Sequence, residues 1–312
     1  MNRKLIDILR CPECKGRPTL ETEASSPEIH QGSLVCRCGR RFEIRGGIPR
    51  FVAHDDYVGN FSMEWDIHRK TQLDTADSNV SESDFASKTG LKPEDLRGKL
   101  VLDAGCGMGR FADIAQKWGA EVVAVDLSYA VESAYANLGS RQGVHIVQAD
   151  IMNLPFEAET FDLVYSIGVL HHTPDCKRAF LSLVPLLKKG GSICIWVYSN
   201  YSKLHSLCSD LLRKVTVRIP GKILYCMCFA SAPLYYIYKI PVLGHLLRNL
   251  VPISMQKRWN WRVLDTFDWY SPKYQSKHRY PEVVRWFREA GLSDMELYEP
   301  PVAVRGTKRP SE

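Results

Sequence analysis

The chain has 312 residues, 45% of them hydrophobic and 24% charged, and its net charge is +6 at pH 7. This composition is typical of a globular protein with room for one large domain and a small one. The apolar turn before Cys11 is too short for the core of a signal peptide, and no later stretch predicts a membrane span. We therefore expect a cytoplasmic protein.

The charge is unevenly distributed along the chain. Residues 53–195 carry 13 basic and 20 acidic side chains, whereas residues 196–312 carry 18 basic and 9 acidic ones. A basic excess usually reflects only a solvated face. Its concentration here indicates an acidic substrate or an anionic surface near the C-terminal third.

Four of the ten cysteines lie in two pairs near the N-terminus, Cys11 with Cys14 and Cys36 with Cys38. Two such pairs complete a tetrahedral Zn²⁺ shell, so we predict a zinc-ribbon module over residues 1–52. Because so small a segment buries little surface, the metal would supply much of its stability. The alternative is four unligated thiols in a mobile tail.

The segment RCGRRFEIRGGIPRF (residues 37–51) closes on the turn Gly47-Ile48-Pro49. It resembles the small zinc-ribbon proteins that partner RNA and protein methyltransferases. That resemblance implies a structural or docking role for the module, not a catalytic one.

Aromatic residues at helical spacing follow the module: Tyr57, Phe61 and Trp65. Such a stripe is usually internal packing, but a helix just upstream of a core domain can close over its ligand. We therefore predict that residues 53–98 form an N-terminal helical segment that covers the cofactor site.

The central motif is KLVLDAGCGMGRFADIAQKWGAEVVAVDLS, residues 99–128. Its apolar start predicts a buried parallel strand over Leu100–Ala104, followed by a glycine turn and a helix over about residues 110–118. A second strand, Glu121–Val125, ends at Asp126, where a carboxylate can accept both hydroxyls of a ribose.

The spacing of the glycines helps to choose among cofactors. Nicotinamide and flavin dehydrogenases use Gly-x-Gly-x-x-Gly around a pyrophosphate, whereas Gly105, Gly107 and Gly109 alternate here, with Asp103 just before them. A carboxylate in this turn would repel a phosphate and suits the cationic methionine end of S-adenosylmethionine. The alternative is a doubly wound domain without this cofactor.

Residues 95–198 resemble the class I S-adenosylmethionine-dependent methyltransferases of the type 11 kind. The resemblance implies a doubly wound α/β fold with a seven-stranded, mostly parallel, Rossmann-like sheet and a cofactor-binding core over residues 99–198. The glycine loop would hold the methionine part, Asp126 the ribose and Asp150 the adenine amino group. The implied cofactor-binding residues are Asp103, Gly105, Gly107, Gly109, Asp126, Leu127, Asp150, Ile151 and Ser166.

Two adjacent histidines, His171 and His172, follow the fourth predicted strand, Phe161–Ser166. A neutral imidazole at this end of the sheet could act as general base, and related methyltransferases commonly have a histidine at the second position. We predict His172 as the catalytic residue and His171 as its substitute. Alternatively, one histidine packs under the cofactor while Thr173 and Asp175 cap the next helix.

An insertion over residues 199–272 follows the fifth predicted strand, Ser192–Val197. Its residues 204–264 contain one acid, Asp210, and nine basic side chains. This apolar, aromatic and basic stretch could lie on the inner face of an anionic membrane or cover a greasy substrate. Equally, it could be a helical lid packed on its own domain. Residues 273–312 should return with a helix over 281–290 and the last two strands of the core sheet.

Polar and aromatic side chains near the end of the insertion are candidates for acceptor recognition: Asp268, Trp269, Tyr270 and His278. The whole arrangement resembles bacterial methyltransferases with a zinc-ribbon head, often encoded near genes for cell-surface polysaccharides or natural products.

We expect O-directed methyl transfer from S-adenosylmethionine to a glycan, lipid-linked or other small-molecule acceptor. One alternative is a tRNA or rRNA methyltransferase. Nucleic acid is disfavoured because no lysine/arginine block alternates with aromatic residues. The alternative from another class is a non-catalytic cofactor-binding scaffold.

Overall fold

The computed structural model describes residues 1–22, 26–52 and 59–309. They form a small antiparallel sheet at the N-terminus and a seven-stranded sheet with helices packed on it. Tyr57, the first member of the predicted aromatic stripe, lies outside the described residues.

The N-terminal module is a four-stranded antiparallel sheet in which each strand pairs with the next along the chain. Its strands are β1 (Thr19–Glu21), β2 (Gln31–Val35), β3 (Arg41–Arg45) and β4 (Ile48–Pro49). Strands this short supply a small core, with Leu34 and Ile44 buried on one face. The predicted metal ligands lie at its end, which is consistent with a module stabilised by an ion.

The large sheet has the order β10-β11-β9-β8-β5-β6-β7. Its strands are β5 (Leu100–Ala104), β6 (Glu121–Asp126), β7 (Val144–Gln148), β8 (Phe161–Ile167), β9 (Leu187–Trp196), β10 (Leu292–Tyr298) and β11 (Ala303–Lys308). Strands β5 to β9 pair in parallel, and β11 and β10 add an antiparallel end. This is the predicted doubly wound seven-stranded sheet, and each predicted strand overlaps an observed one.

Helices connect the strands and cover both faces of the sheet. They are α1 (Gly59–Ile67), α2 (Val80–Thr89), α3 (Pro93–Leu96), α4 (Arg110–Lys117), α5 (Ala130–Leu138), α6 (Cys176–Leu183) and, near the C-terminus, α12 (Tyr280–Glu289). Two buried apolar clusters result, one on each side of the central strands. Because both faces are covered, β7 is buried at every residue and β5 at every residue but its first, with no alternation between buried and exposed positions.

The N-terminal module is joined directly to the edge of the large sheet at β7. The backbone N–H of Phe51 donates to the carbonyl of Gln148 at 2.8 Å, and that of Arg10 donates to the carbonyl of Pro155 at 2.8 Å. The buried guanidinium of Arg50 donates to the Gln148 side chain at 2.7 Å and pairs with Glu132 on α5. The module therefore packs beside the residues that follow β6 and β7.

The insertion consists of five helices between β9 and α12: α7 (Lys203–Thr216), α8 (Gly221–Cys228), α9 (Ser231–Ile237), α10 (Leu243–Leu250) and α11 (Trp259–Tyr270). Helices α8 and α11 share a small core of their own that includes Leu224 and Phe267. Within the described residues, no helix is long and apolar enough to cross a membrane.

Candidate active site and zinc centre

The glycine loop between β5 and α4 forms the floor of a cavity of about 330 Å³. Gly105 has φ +93°, and a Cβ there would come within 2.3 Å of the Val169 side chain. Gly107 has φ +53°, and the Trp65 ring of α1 lies 3.2 Å from the position of its missing Cβ. Only glycine fits this backbone without strain, so the loop presents bare backbone to the cavity beneath an aromatic lid.

The carboxyl ends of β6 and β7 supply the next wall of the cavity. Asp126 accepts the Gly107 N–H at 2.9 Å and the Ser128 N–H at 2.8 Å, which ties the end of β6 to the glycine loop. Asp150, Leu127 and Ile151 line the same cavity. Two carboxylates flanked by two aliphatic side chains provide acceptors for hydroxyl and amino groups and apolar faces for a flat ring.

Three of the predicted cofactor residues lie behind this surface. Asp103 is buried, one of its carboxyl oxygens has no hydrogen-bond partner within the described residues, and burial raises its pKa to about 8. Gly109, with φ +91°, precedes α4 and faces Leu138 of α5. Ser166 is fully buried and donates to the Ala104 carbonyl at 2.7 Å, so its hydroxyl holds β8 against β5 and does not reach the cavity.

The opposite wall comes from α1 and α11, and it is rich in carboxyl groups. Glu64, Asp265 and Asp268 all line the cavity. Burial, together with the charges of Asp268 and Asp265, raises the pKa of Glu64 well above its usual value, and neither of its carboxyl oxygens has a hydrogen-bond partner within the described residues. Asp268 accepts the Tyr198 hydroxyl at 3.0 Å. This wall can therefore both donate and accept hydrogen bonds.

The two histidines differ sharply in their surroundings. The Nδ1 of His172 lies 3.1 Å from the Tyr274 carbonyl oxygen. A carbonyl can only accept, so Nδ1 carries the proton and the lone pair is on Nε2. His172 lines the cavity, Nε2 has no protein partner among the described residues, and burial lowers the pKa of the ring, which keeps it neutral.

His171 does not line the cavity. Its ring is completely buried and stacks on Tyr198 at 3.8 Å between ring centroids. Burial lowers its pKa well below the ordinary value. Asp175 caps α6 by accepting the Arg178 N–H at 2.9 Å. His171 is thus a packing residue, whereas His172 lines the cavity.

A group of cations completes the cavity beside the glycine loop. Arg110 donates to Asp84 at 2.8 Å, and Lys88 donates to the same carboxylate at 3.1 Å while its ammonium lies 4.4 Å from the Trp196 ring centre. Burial opposes ionisation of Asp84, but the charges of Lys88 and Arg110 outweigh it and lower its pKa. Burial also lowers the pKa of Lys88. The two basic side chains share one carboxylate, so their remaining N–H groups can donate hydrogen bonds to a small anionic group.

Several of these cavity residues are absent from the sequence-based prediction. Glu64 lies between two members of the aromatic stripe, Phe61 and Trp65, and Asp265 lies one helical turn before Asp268. The spacing of one helical turn from Asp268 could have indicated Asp265 as a cavity residue. No local sequence pattern indicates Glu64. Of the predicted acceptor-recognition residues, Asp268 and Trp269 line the cavity. Tyr270 instead donates to the Pro252 carbonyl at 2.7 Å, and His278 packs on the Trp286 ring.

The four N-terminal cysteines converge at one point, their sulfur atoms all within 4.8 Å of one another. The Sγ atoms of Cys11 and Cys38 are 3.7 Å apart, and those of Cys14 and Cys36 are 3.3 Å apart. Zinc–sulfur bonds of about 2.3 Å at the tetrahedral angle place sulfurs about 3.8 Å apart. The set therefore fits a structural Zn²⁺ ion with four protein ligands.

Comparison with known proteins agrees with this architecture. Residues 102–195 match the family described as Methyltransferase domain, and residues 2–47 match the family described as Trm112p-like protein. The chain therefore carries a class I S-adenosylmethionine-dependent methyltransferase domain behind an N-terminal zinc ribbon. The bare glycine loop, the carboxylates of Asp126 and Asp150 and the unpartnered oxygen of Asp103 fit this cofactor, which is cationic at its methionine end.

Relatives cover this chain only in part. The ubiquinone biosynthesis O-methyltransferase of Coxiella burnetii is 35% identical over 100 residues, which are 31% of this chain and 43% of that protein. The chloroplastic tocopherol O-methyltransferase of Arabidopsis thaliana is 29% identical over 181 residues, 51% of each chain. A chain from the complex containing the Haloferax volcanii Trm112 methyltransferase activator is 14% identical, with a TM-score of 0.48, and the match covers 83% of this chain and all of that one. The chain thus spans less than half the length of the first of these relatives.

Proposed function

We propose that this protein transfers a methyl group from S-adenosylmethionine to a hydroxyl oxygen of a small-molecule or glycan acceptor. The observation that supports this most directly is His172, a neutral imidazole that lines the cavity and whose Nε2 has no hydrogen-bond partner among the described residues. A hydroxyl needs to lose its proton as it attacks, and a neutral imidazole is the group best suited to accept it near pH 7. The O-methyltransferase names of two relatives agree with this choice.

Each of the cofactor-binding residues has a proposed role. Asp126 would hold the ribose, Asp150 the adenine amino group, and Leu127 with Ile151 the adenine ring. Asp103 and the backbone of Gly105, Gly107 and Gly109 would hold the methionine part. The cation pair of Arg110 and Lys88 would neutralise its carboxylate. We assign no cofactor contact to Ser166, because its hydroxyl is engaged with β5.

The bound cofactor supplies an electrophilic methyl group on a sulfonium. His172 would accept the proton of the acceptor hydroxyl as that oxygen becomes methylated. The imidazolium that results then releases its proton to water. Asp268 stabilises this imidazolium, since its charge favours the protonated ring. Tyr198 donates to Asp268 and is positioned by the stacked ring of His171.

We propose a matching division of the chain. Residues 1–52 form the zinc ribbon, 53–98 cover the cofactor and 99–198 bind it. Residues 199–272 shape the acceptor side, and 273–312 complete the sheet. The contact of Trp65 with the glycine loop supports the covering role, and the α11 residues in the cavity wall support the acceptor role.

Titration calorimetry with S-adenosylhomocysteine tests the cofactor assignment. The wild type should bind, Asp126→Ala should lose binding, and His172→Ala should bind like the wild type. Glu94→Ala, an exposed acid on α3, is a control for the loss of one negative charge. Absence of binding by the wild type would contradict methyl transfer from this cofactor. Binding without methylation of any acceptor would favour the non-catalytic cofactor-binding scaffold.

An acceptor screen then tests the chemistry. Wild type incubated with labelled S-adenosylmethionine and a panel of hydroxylated glycans, phenols and lipid-linked sugars should form a methyl ether with one class. His172→Ala should form it about 10²–10⁴-fold more slowly. A product methylated on nitrogen or carbon would contradict the O-directed assignment.

The match to the Trm112p-like family supports one alternative to a small-molecule acceptor, namely a tRNA or rRNA methyltransferase. Such an enzyme neutralises phosphates with its basic C-terminal third, so its RNA affinity would fall steeply with salt. Binding of bulk tRNA measured between 50 and 200 mM salt distinguishes the two functions. A steep slope with a methylated nucleoside product would replace the small-molecule acceptor.

We also propose that the acceptor is lipid-linked and that the protein meets it at the inner face of an anionic membrane. The basic excess of residues 204–264 supports this location. A membrane-bound acceptor would also explain why an enzyme with a small cavity carries a five-helix insertion.

A further inference from the structure

The outer side of the insertion leaves a long apolar stripe in solvent. Helix α7 exposes Leu204, Leu207, Leu211 and Val215, each about half exposed or more (49–63%). Their spacing of three and four residues places them on one face of the helix. The opposite face, with Ser206, Ser209 and Arg213, is buried against the protein.

Helix α10 repeats this arrangement next to α7. It exposes Leu243, Leu246 and Leu250, and Val242 just before it is 85% exposed. The two helices are tied together, since the His205 ring lies 3.2 Å from the Arg248 carbonyl. Single exposed leucines are common, but two neighbouring helices that each expose a row of them form an apolar surface that normally has a partner.

The charges around these helices identify the partner. Exposed basic residues on these two helices, or within two residues of their ends, are Lys203, Lys214, Arg218 and Arg248. Further exposed basic residues of the 204–264 stretch are Lys222, Lys239, Lys257 and Arg258. Its one acid up to residue 264, Asp210, is paired with Lys277 at 2.6 Å, so little negative charge offsets them. Apolar stripes bordered by cations fit a bilayer that contains anionic lipids. A second copy fits poorly, because it would bring two strongly positive surfaces together.

The helices that carry this surface lie close to the wall of the cavity where we expect the acceptor to bind. Both α7 and α8 pack on α11. Trp261, Leu264 and Asp268 of α11 line the cavity, so one layer of helix separates the outer surface from the acceptor wall. An acceptor held in the membrane would therefore be presented close to His172.

We propose that the outer faces of α7 and α10 are a docking surface for an anionic membrane. The apolar stripes enter the interface between headgroups and acyl chains, and the surrounding lysines and arginines contact the lipid phosphates. This proposal rests on the proposed function only for the identity of the acceptor, since docking itself requires neither cofactor nor catalysis.

The test is sedimentation of the full chain with vesicles of phosphatidylcholine containing 30% phosphatidylglycerol, beside vesicles of phosphatidylcholine alone. The wild type should pellet with the anionic vesicles and stay in solution with the neutral ones. Leu207→Ser/Leu211→Ser should lose most binding. Leu297→Ser, on β10 and 52% exposed like Leu211, is the matched control and should bind like the wild type.

A charge variant tests the electrostatic part. Lys214→Glu/Arg218→Glu, at the C-terminal end of α7, should weaken partition by at least about 25-fold, given roughly fivefold for each basic residue removed near an anionic surface. Lys189→Glu, at an exposed residue near the start of β9, is the control. All variants should keep the wild-type affinity for S-adenosylhomocysteine, which separates failure to dock from failure of the cofactor site.

Three results would overturn the proposal. One is a wild type that remains in solution with anionic vesicles at low salt. Another is equal binding by Leu207→Ser/Leu211→Ser and Leu297→Ser. The third is a concentration-dependent dimer in analytical ultracentrifugation that Leu207→Ser/Leu211→Ser abolishes, which would assign the stripes to a second copy of the chain.

Discussion

Arg50 offers a sharp test of how the zinc ribbon is joined to the cofactor domain. Its guanidinium is buried, donates to the side chain of Gln148 at 2.7 Å and pairs with Glu132 on α5. The amide of Gln148 in turn donates to the Leu127 carbonyl at 3.0 Å, directly after Asp126. Arg50→Ala therefore removes the link between the ribbon and the adenosine side of the cavity.

The expected cost follows from these contacts. Loss of Arg50 leaves the buried Gln148 oxygen without a donor, which costs about 1–3 kcal/mol. The ion pair adds at most about 1 kcal/mol, because Glu132 is more than half exposed and water screens its charge. We expect the free energy of unfolding to fall by about 1–4 kcal/mol and the affinity for S-adenosylhomocysteine to weaken with it.

Urea denaturation of the zinc-loaded protein measures this change, with calorimetry for the ligand. Arg41→Ala is the control, because Arg41 pairs with Glu21 at 2.9 Å on the exposed face of the ribbon and should cost less than about 1 kcal/mol. Equal destabilisation by the two variants would refute the reasoning, since it would mean that the buried contact with Gln148 contributes no more than a surface ion pair.

Four further predictions concern the two sites. His172→Ala should slow methyl transfer about 10²–10⁴-fold and leave S-adenosylhomocysteine binding unchanged, measured by initial rates and calorimetry. Cys14→Ser should lower zinc content and thermal stability; because Cys14 is exposed, the loss would come from the metal site and not from packing. Gly107→Ala should lower the free energy of unfolding by about 1–2 kcal/mol and also weaken ligand binding, since a Cβ there is both strained and close to the α1 ring. Burial raises the pKa of Asp103 to about 8. The native state without ligand then holds a proton that the unfolded chain loses near pH 4, so stability should fall between about pH 4 and 8, and Asp103→Asn should flatten that fall in urea titrations.

Matched control variants separate effects at the two sites from general effects of the substitutions. Cys226→Ser removes an exposed thiol on α8 and should change neither zinc content nor stability. Gly98→Ala shares the positive φ, +71°, but has open space around it, so it should cost stability and leave ligand binding intact. Equal ligand affinity in Gly98→Ala and Gly107→Ala would contradict the placement of the glycine loop. A stability profile of Asp103→Asn parallel to the wild type would show that Asp103 does not hold the proton.

The zinc ligands and the core sheet could be predicted from the sequence because their signals are local. Cys11 and Cys14 fall within one turn of chain, and so do Cys36 and Cys38. The strand Leu100–Ala104, the glycine turn after it and Asp126 at the end of the next strand form one continuous supersecondary unit. Apolar runs, turn residues and strand ends are encoded within about thirty residues, which is the range over which a pattern can be read.

Tertiary packing decided what lies opposite the cofactor. Glu64 and Asp268 are about two hundred residues apart in the chain, and nothing in either segment indicates that they share a wall. The sequence placed His171 and His172 side by side, but only the contacts with Tyr198 and the Tyr274 carbonyl determine which ring is packed and which faces the cavity. Side-chain direction at a strand end depends on the elements packed against it. For the same reason, the amphipathic pattern of α7 does not show which of its faces is covered. In the structure Ser206 is buried and Leu207 is exposed to solvent.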